Sequence, residues 1–260
     1  MDSITIGIGV SFTPYERTDA KPSIFIVVDV IRASSTIIKL FENNCQRIFL
    51  TDNAQNFCNT RNDSMKHFKV CAEDAVGRKM ECADFSPSLR EIENNPKING
   101  SQVIIQTSNG TAAIHLLARQ GASTILIGSM LNAKAVMEKA LDLATKNHQN
   151  ISIVCAGRNG GTWATIDDVY CAAKLVEYAK ALVKDSSTEL VIFDSAKIAM
   201  AQLPLYQDTI QAFHASASAE NLRKIQSTED IELCAEDSIS EITPIVATKS
   251  DYPFIEILKQ

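Results

Sequence analysis

The sequence predicts an α/β fold, with a largely parallel sheet, crossover helices and a helix-rich C-terminal part. Three observations predict it. Short β-branched runs alternate with segments of helical period over the first 185 residues, the pattern of strands joined by crossover helices. Residues 24–30, Ile-Phe-Ile-Val-Val-Asp-Val, form a nearly continuous apolar run, as expected of a strand covered on both faces. Beyond Asp185 the alternation yields to a mainly helical pattern.

The elements follow in order. Residues 4–10 and 24–30 read as strands, and residues 33–43 as a helix with Ile37, Leu40 and Phe41 on one face. Residues 47–51 give a third strand and 53–62 a helix. Residues 71–99 are rich in charge and turn formers, including Gly77, Pro87 and Pro96, and read as an irregular excursion, a lid or an edge element. Alternation resumes with a strand at 102–106, a helix at 111–120 and a strand at 123–128. Asn132 is positioned to cap a helix whose inner face carries Ala133, Val136, Met137, Ala140, Leu141 and Ala144. A strand at 151–156 and a helix at 167–183 complete the repeating part. Residues 194–223 read as helical, with a break at Pro204, and short strands are expected at 231–234, 244–247 and 254–258. These assignments divide the chain into residues 1–185, which hold the strand-end loops, and a helix-rich region, 186–260, packed on them. No linker marks that boundary, and one domain is equally compatible with the pattern.

Composition narrows the function. Of 260 residues, 45% are apolar and 22% charged, which suits a packed globular chain rather than a disordered one. The net charge of −6, without a Lys/Arg cluster, argues against nucleic-acid binding, which rests on neutralising phosphates. No apolar run reaches the roughly 20 residues of a membrane span. The first five residues lack the basic start of a secretory signal. Seven cysteines without a C-x-x-C pair argue against a zinc ribbon and point to a reducing, cytoplasmic setting. The four histidines, His67, His115, His148 and His214, form no metal-ligand spacing.

Ligands of parallel sheets bind at the C-terminal ends of strands. Three segments place polar residues there. In Asp29-Val30-Ile31-Arg32-Ala33-Ser34-Ser35-Thr36 a carboxylate precedes an arginine and three hydroxyls at a helix start. The carboxylate is a hard ligand for Mg²⁺, and the guanidinium with the first helical N–H groups suits an oxyanion. The competing explanation is simple helix capping plus an ion pair. In Thr107-Ser108-Asn109-Gly110-Thr111, Gly110 permits close backbone approach to an anion, although the segment matches neither a P-loop nor a dinucleotide fingerprint. A well-capped turn explains it equally. In Cys155-Ala156-Gly157-Arg158-Asn159-Gly160-Gly161, followed by Asp167-Asp168, an activated thiol would be a nucleophile, and at most one of the adjacent acids faces the site. A buried structural cysteine is the commoner case. Three anion-ready loops with available carboxylates converge on a small phosphorylated ligand and a divalent cation.

The same segments resemble the 2-phosphosulfolactate phosphatase family. The resemblance lies in residues 28–36, in 107–111, in Gly128-Ser129 with Leu131-Asn132-Ala133, and in Val154-Cys155-Ala156-Gly157 followed by Asp167-Asp168. A weaker echo spans 218–231 and includes Glu229-Asp230-Ile231. Order and spacing agree from about residue 24 to 247. The resemblance implies an α/β topology particular to that family and a Mg²⁺-dependent hydrolase. The implied reaction releases phosphate from (2R)-2-phospho-3-sulfolactate, a step toward coenzyme M, and the implied assembly is a homodimer. Two departures stand out. Ala83-Asp84-Phe85-Ser86-Pro87 replaces a Gly-Asn-Ser-Pro stretch, and Asp167 stands where glutamate is frequent. They bear on the substrate more than on the chemistry.

The expected roles combine both lines. Asp29 with one or both of Asp167 and Asp168 holds Mg²⁺, directly or through water. Asp29, Arg32 and Asp168 carry catalysis with water as nucleophile, and Cys155 is the minority nucleophile. Arg32, Ser34, Ser35, Asn109, Gly110 and Thr111 bind the phosphoryl group, and Arg158 holds the sulfonate or carboxylate. The alternatives are a phosphatase for another small phosphorylated acid and a non-catalytic anion-binding module.

Overall fold

A computed structural model describes residues 4–16, 23–60, 65–184 and 187–260. Its described strands form one mixed sheet, ordered β4-β5-β3-β10-β9-β6-β2-β7-β1-β8. These are β1 (Ile4–Ser11), β2 (Ser23–Val28), β3 (Arg47–Leu50), β4 (Lys69–Ala72), β5 (Gln102–Gln106), β6 (Thr124–Gly128), β7 (Asn150–Cys155), β8 (Thr188–Ile192), β9 (Ile245–Val246) and β10 (Ile255–Leu258). The helices are α1 (Ala33–Glu42), α2 (Ala54–Thr60), α3 (Leu89–Glu93), α4 (Gly110–Arg119), α5 (Ala133–Asn147), α6 (Ile166–Val183), α7 (Asp194–Met200), α8 (Thr209–His214), α9 (Ala217–Lys224) and α10 (Glu229–Ala235). The expected α/β class with a largely parallel sheet and a helical C-terminal part is what the chain adopts. Strands β8, β9 and β10, all beyond residue 185, join the same sheet as the earlier ones.

Register positions the strand ends. Val28 of β2 pairs with Cys155 of β7 on one side and Gly128 of β6 on the other. The three strands therefore end level, and Asp29, Ala156 and Ser129 emerge side by side. In the second parallel block, Ala72 of β4 pairs with Gln106 of β5, which sets Glu73 beside Thr107. Three antiparallel pairings, β6–β9, β9–β10 and β10–β3, separate the blocks, so their strands run in opposite senses.

Side-chain alternation builds the core. Ile24, Ile26 and Val28 face one cluster with Val136, Met137 and Ala140 of α5 and Ala172 and Val176 of α6. Val27 faces the other cluster, with Ile37, Leu40 and Phe41 of α1, Ala113 and Leu117 of α4, and Ile48 and Ile105 of the second block. Helix α1 thus lies between layers, and every residue from Ala33 to Phe41 is buried. Each of its large apolar side chains contributes about 1.5–3 kcal/mol by leaving water. Among the described residues no helix is long and apolar enough to cross a membrane.

Several elements differ from expectation. Strand β2 stops at Val28, so Asp29 and Val30 already belong to the loop. Residues 231–234 are helical, within α10. Glu229, Asp230 and Glu232 favour a helix N-terminus, and the buried set Ile231, Cys234 and Ala235 recurs at helical spacing. The irregular excursion opens with edge strand β4, and the C-terminal region opens with edge strand β8; edge strands carry short and mixed patterns that sequence periodicity misses. Asn132 occupies the position before α5 but does not cap it. Its amide instead accepts from Ser129 N–H (2.9 Å) and donates to the carbonyls of Ile127 and Ile242 (3.1 and 2.9 Å), pinning the β6 end to the C-terminal segment. The predicted helix at 53–62 corresponds to α2, and its last two residues lie outside the described ones.

Candidate active site

The ends of β2, β4, β5 and β7 open onto one small cleft, with a cavity volume of about 40 Å³. Its lining includes Asp29, Arg32, Glu73, Asn109, Arg158 and Asp168. The three loops expected to carry the chemistry therefore meet, and no histidine lines the cleft among the described residues.

Asp29 follows β2 directly. Its backbone is locked to the start of α1: Asp29 N–H donates to Ser34 Oγ at 2.9 Å, and Ser34 N–H donates to the Asp29 carbonyl at 2.8 Å. Burial, with Glu73 and Asp167 nearby, raises its carboxyl from 3.8 to about 7, against the N–H groups of Gly110 and Ala33 that face it. Gly110 is needed for this approach. A Cβ there would lie 2.7 Å from Asp29 Oδ2 and 2.7 Å from Ala33 Cβ. Gly110→Ala should therefore cost about 1–3 kcal/mol by overpacking and displace Asp29, a combined loss of melting temperature and turnover.

The acids of α6 sit across from Asp29. Asp168 accepts from Val30 N–H (2.9 Å) through Oδ1 and from Gly157 N–H (3.0 Å) through Oδ2, which ties the β2 and β7 loops together. Burial, then Asp167 and Asp29, push its carboxyl well above the usual range. Asp167 is 1% exposed and neither of its oxygens has a hydrogen-bond partner. The Thr165 and Ser218 hydroxyls lie nearby without hydrogen-bonding geometry. Burial raises this carboxyl too. Three buried carboxyl groups, one of them without a hydrogen-bond partner, thus lie near one another, and carboxylate oxygens are the ligand type that hard divalent cations prefer. Among the described residues no three His, Cys, Asp or Glu side chains stand together as a group that could hold a metal ion.

Two arginines line the same cleft. Arg32, 4% exposed, follows the cis Ile31–Arg32 peptide. Its Nη1 donates to Asp230 Oδ2 at 2.8 Å, and its Nη2 donates to Glu73 Oε2 at 3.0 Å and to the Gly77 carbonyl at 2.8 Å. Arg158 Nη1 donates to the Ala217 carbonyl at 3.0 Å, and the hydrogen-bond network orients the Asn221 amide oxygen toward the same guanidinium.

Other expected residues stand elsewhere. The Ser35 hydroxyl donates to the Val30 carbonyl (2.8 Å) and pairs with Ser129 Oγ (2.7 Å). Thr111 Oγ1 accepts from Thr107 N–H at 3.1 Å. With Ser34 bonded to Asp29, all three hydroxyls brace the loops and none lines the cleft. Cys155 is fully buried at the end of β7, outside the lining, and burial followed by Asp168 pushes its thiol well up, the opposite of what a thiolate nucleophile needs. Glu73, Ser218 and Asn221 line the cleft without having been expected there. Reading 69–72 as a strand would have placed Glu73 at a strand end.

The chain matches the family model described as 2-phosphosulpholactate phosphatase over residues 12–249. It is 31% identical over 227 residues to a Thermus thermophilus protein named probable 2-phosphosulfolactate phosphatase, covering 87% of this chain and 89% of that one. A Deinococcus radiodurans protein of the same name is 28% identical, covering 89% and 91%. A Clostridium acetobutylicum protein, also so named, is 27% identical, covering 92% and 96%. With the strand-end loops converging as described, the chain belongs to the 2-phosphosulpholactate phosphatase family, a family of phosphoric monoester hydrolases.

Proposed function

We propose that this protein hydrolyses (2R)-2-phospho-3-sulfolactate to 3-sulfolactate and phosphate, with Mg²⁺ held by Asp29, Asp167 and Asp168. The observation that carries the proposal is the convergence of Asp29 and Asp168 with Arg32 and Arg158 on one cleft, with the unpartnered, buried Asp167 carboxylate beside the two acids but outside the lining. The bound ion would supply charge neutralisation and orient the attacking water. Arg32 and the N–H groups of Ser108 and Asn109, just before α4, take the phosphoryl oxygens. Arg158, at the far side of the cleft, takes the sulfonate or carboxylate. Water forms the new P–O bond, the ester P–O bond breaks, and the departing alkoxide takes up the proton that the attacking water gives up.

Cys155 plays no chemical part here. Cys155→Ala is expected to keep turnover within a few-fold of wild type, and a phosphoenzyme label that depends on Cys155 after acid quench would contradict this. The sulfonate-bearing substrate is tested by phosphate release from 2-phosphosulfolactate, 2-phospholactate and 2-phosphoglycerate in Mg²⁺. The sulfonated ester should be turned over best, whereas preference for another would keep the chemistry and move the substrate. The buried thiols Cys45, Cys71, Cys155, Cys171 and Cys234 support a cytoplasmic setting. Family membership supports a homodimer, which sedimentation checks.

A further inference from the structure

Arg32 is held by two carboxylates of different standing. Asp230 is 1% exposed in its side chain and fixed: its other oxygen accepts from Ser88 Oγ at 2.9 Å and from Arg90 N–H at 3.2 Å. Glu73 is 13% exposed in its side chain and lines the cleft. Its Oε2 accepts from Arg32 Nη2 at 3.0 Å, and its Oε1 faces the Ser108 N–H at 3.5 Å. These two donors, a guanidinium N–H and a backbone N–H just before α4, are what a phosphoryl group entering this cleft would use.

Glu73 rides on a turn fastened to the same groups. Asp74 Oδ1 accepts from Val76 N–H and Arg78 N–H, both at 2.9 Å, and Gly77 N–H donates to the Asp74 carbonyl at 3.0 Å. The turn is held down by Arg32 Nη2 on the Gly77 carbonyl and by Ser108 Oγ on the Asp74 carbonyl (3.0 Å). Its tip, Val76, is exposed.

We propose that Glu73 is a built-in competitor for the phosphoryl group: its carboxylate occupies the donors that phosphate takes, and it yields them to solvent when phosphate enters. This rests on the assignment of the cleft to a phosphorylated substrate. Asp230 keeps Arg32 in place throughout, so the guanidinium exchanges one anion for another without moving. Residue 73 then sets affinity and selectivity. A ligand must carry enough negative charge to displace a carboxylate, which disfavours neutral and weakly charged look-alikes.

The test is calorimetric titration of the full chain with inorganic phosphate in Mg²⁺, for wild type and Glu73→Gln. The amide keeps an acceptor for Arg32 but removes the like charge, so E73Q should bind phosphate roughly tenfold more tightly. Binding equal to or weaker than wild type, at an unchanged melting temperature, overturns the proposal; a residue that helps hold the ligand or a metal gives that result. The wild type provides a second reading that no folding defect can spoil. Saturating phosphate should speed amide exchange across residues 73–78 as the turn loosens, and slower or unchanged exchange overturns the proposal. Turnover assays judge the phosphatase assignment separately. Tighter phosphate in an inactive protein would keep the competitor and remove the enzyme, and an active wild type without tightening would do the reverse.

Discussion

Asp29→Asn is expected to lower turnover about a hundredfold or more while raising the stability of the metal-free protein at pH 8. The first effect follows from removing a preorganised charge partner of the reacting group, which costs roughly 3–4 kcal/mol of transition-state stabilisation. The second follows from linkage. The Asp29 carboxyl titrates near 7 in the folded chain and near 3.8 when unfolded. Between those values the folded state binds more protons, so stability falls as pH rises from about 4 to about 7 and then levels off. The full loss is about 4 kcal/mol at 1.36 kcal/mol per pH unit. Asparagine carries no such loss, so the variant should melt higher than wild type at pH 8 and alike at pH 4. Asp167 and Asp168, raised in the same direction, keep part of the slope in the variant. Thermal melts in EDTA across that range check the window, and added Mg²⁺ should raise the wild-type melting temperature far more at pH 8 than at pH 5. A variant as active as wild type would remove Asp29 from the mechanism.

Arg32→Met should destabilise the chain by about 3–5 kcal/mol, because Asp230 would be left buried without its cation. At this size that is a fall on the order of 10 °C in melting temperature. Adding Asp230→Leu should recover a good part of the loss, since the two residues share one interaction and their effects do not add. Turnover should stay lost in the double variant, because the phosphoryl donor is gone. Recovery of both stability and turnover would show that Arg32 is only a brace.

The legible parts of this molecule are those where one physical demand dominates. A strand covered on both faces must be apolar throughout, so residues 24–30 read as a strand at once, whereas only the structure shows that it ends at Val28 and leaves Asp29 and Val30 to the loop. Glycine at 110 is readable as a close approach, although only the structure shows that the approaching group is Asp29 rather than ligand alone. Hydroxyls are less legible. Ser34, Ser35 and Thr111 have the chemistry of anion ligands, yet each satisfies a neighbouring backbone or hydroxyl group, and sequence spacing does not distinguish the two uses. Long-range ion pairs are invisible to local pattern. Arg32 meets Asp230 across 198 positions, and Asp230 lies in a short helix whose apolar residues also fit a strand. Glu73 escaped because its strand is an edge strand in an irregular stretch.

The most direct test of the buried-carboxylate account is phosphate release from (2R)-2-phospho-3-sulfolactate by metal-free protein, followed before and after Mg²⁺ is added. The account predicts no turnover above background in EDTA and rapid turnover once Mg²⁺ exceeds the chelator. Equal turnover with and without the ion would contradict it, and the aspartate cluster would then have to act by proton transfer alone.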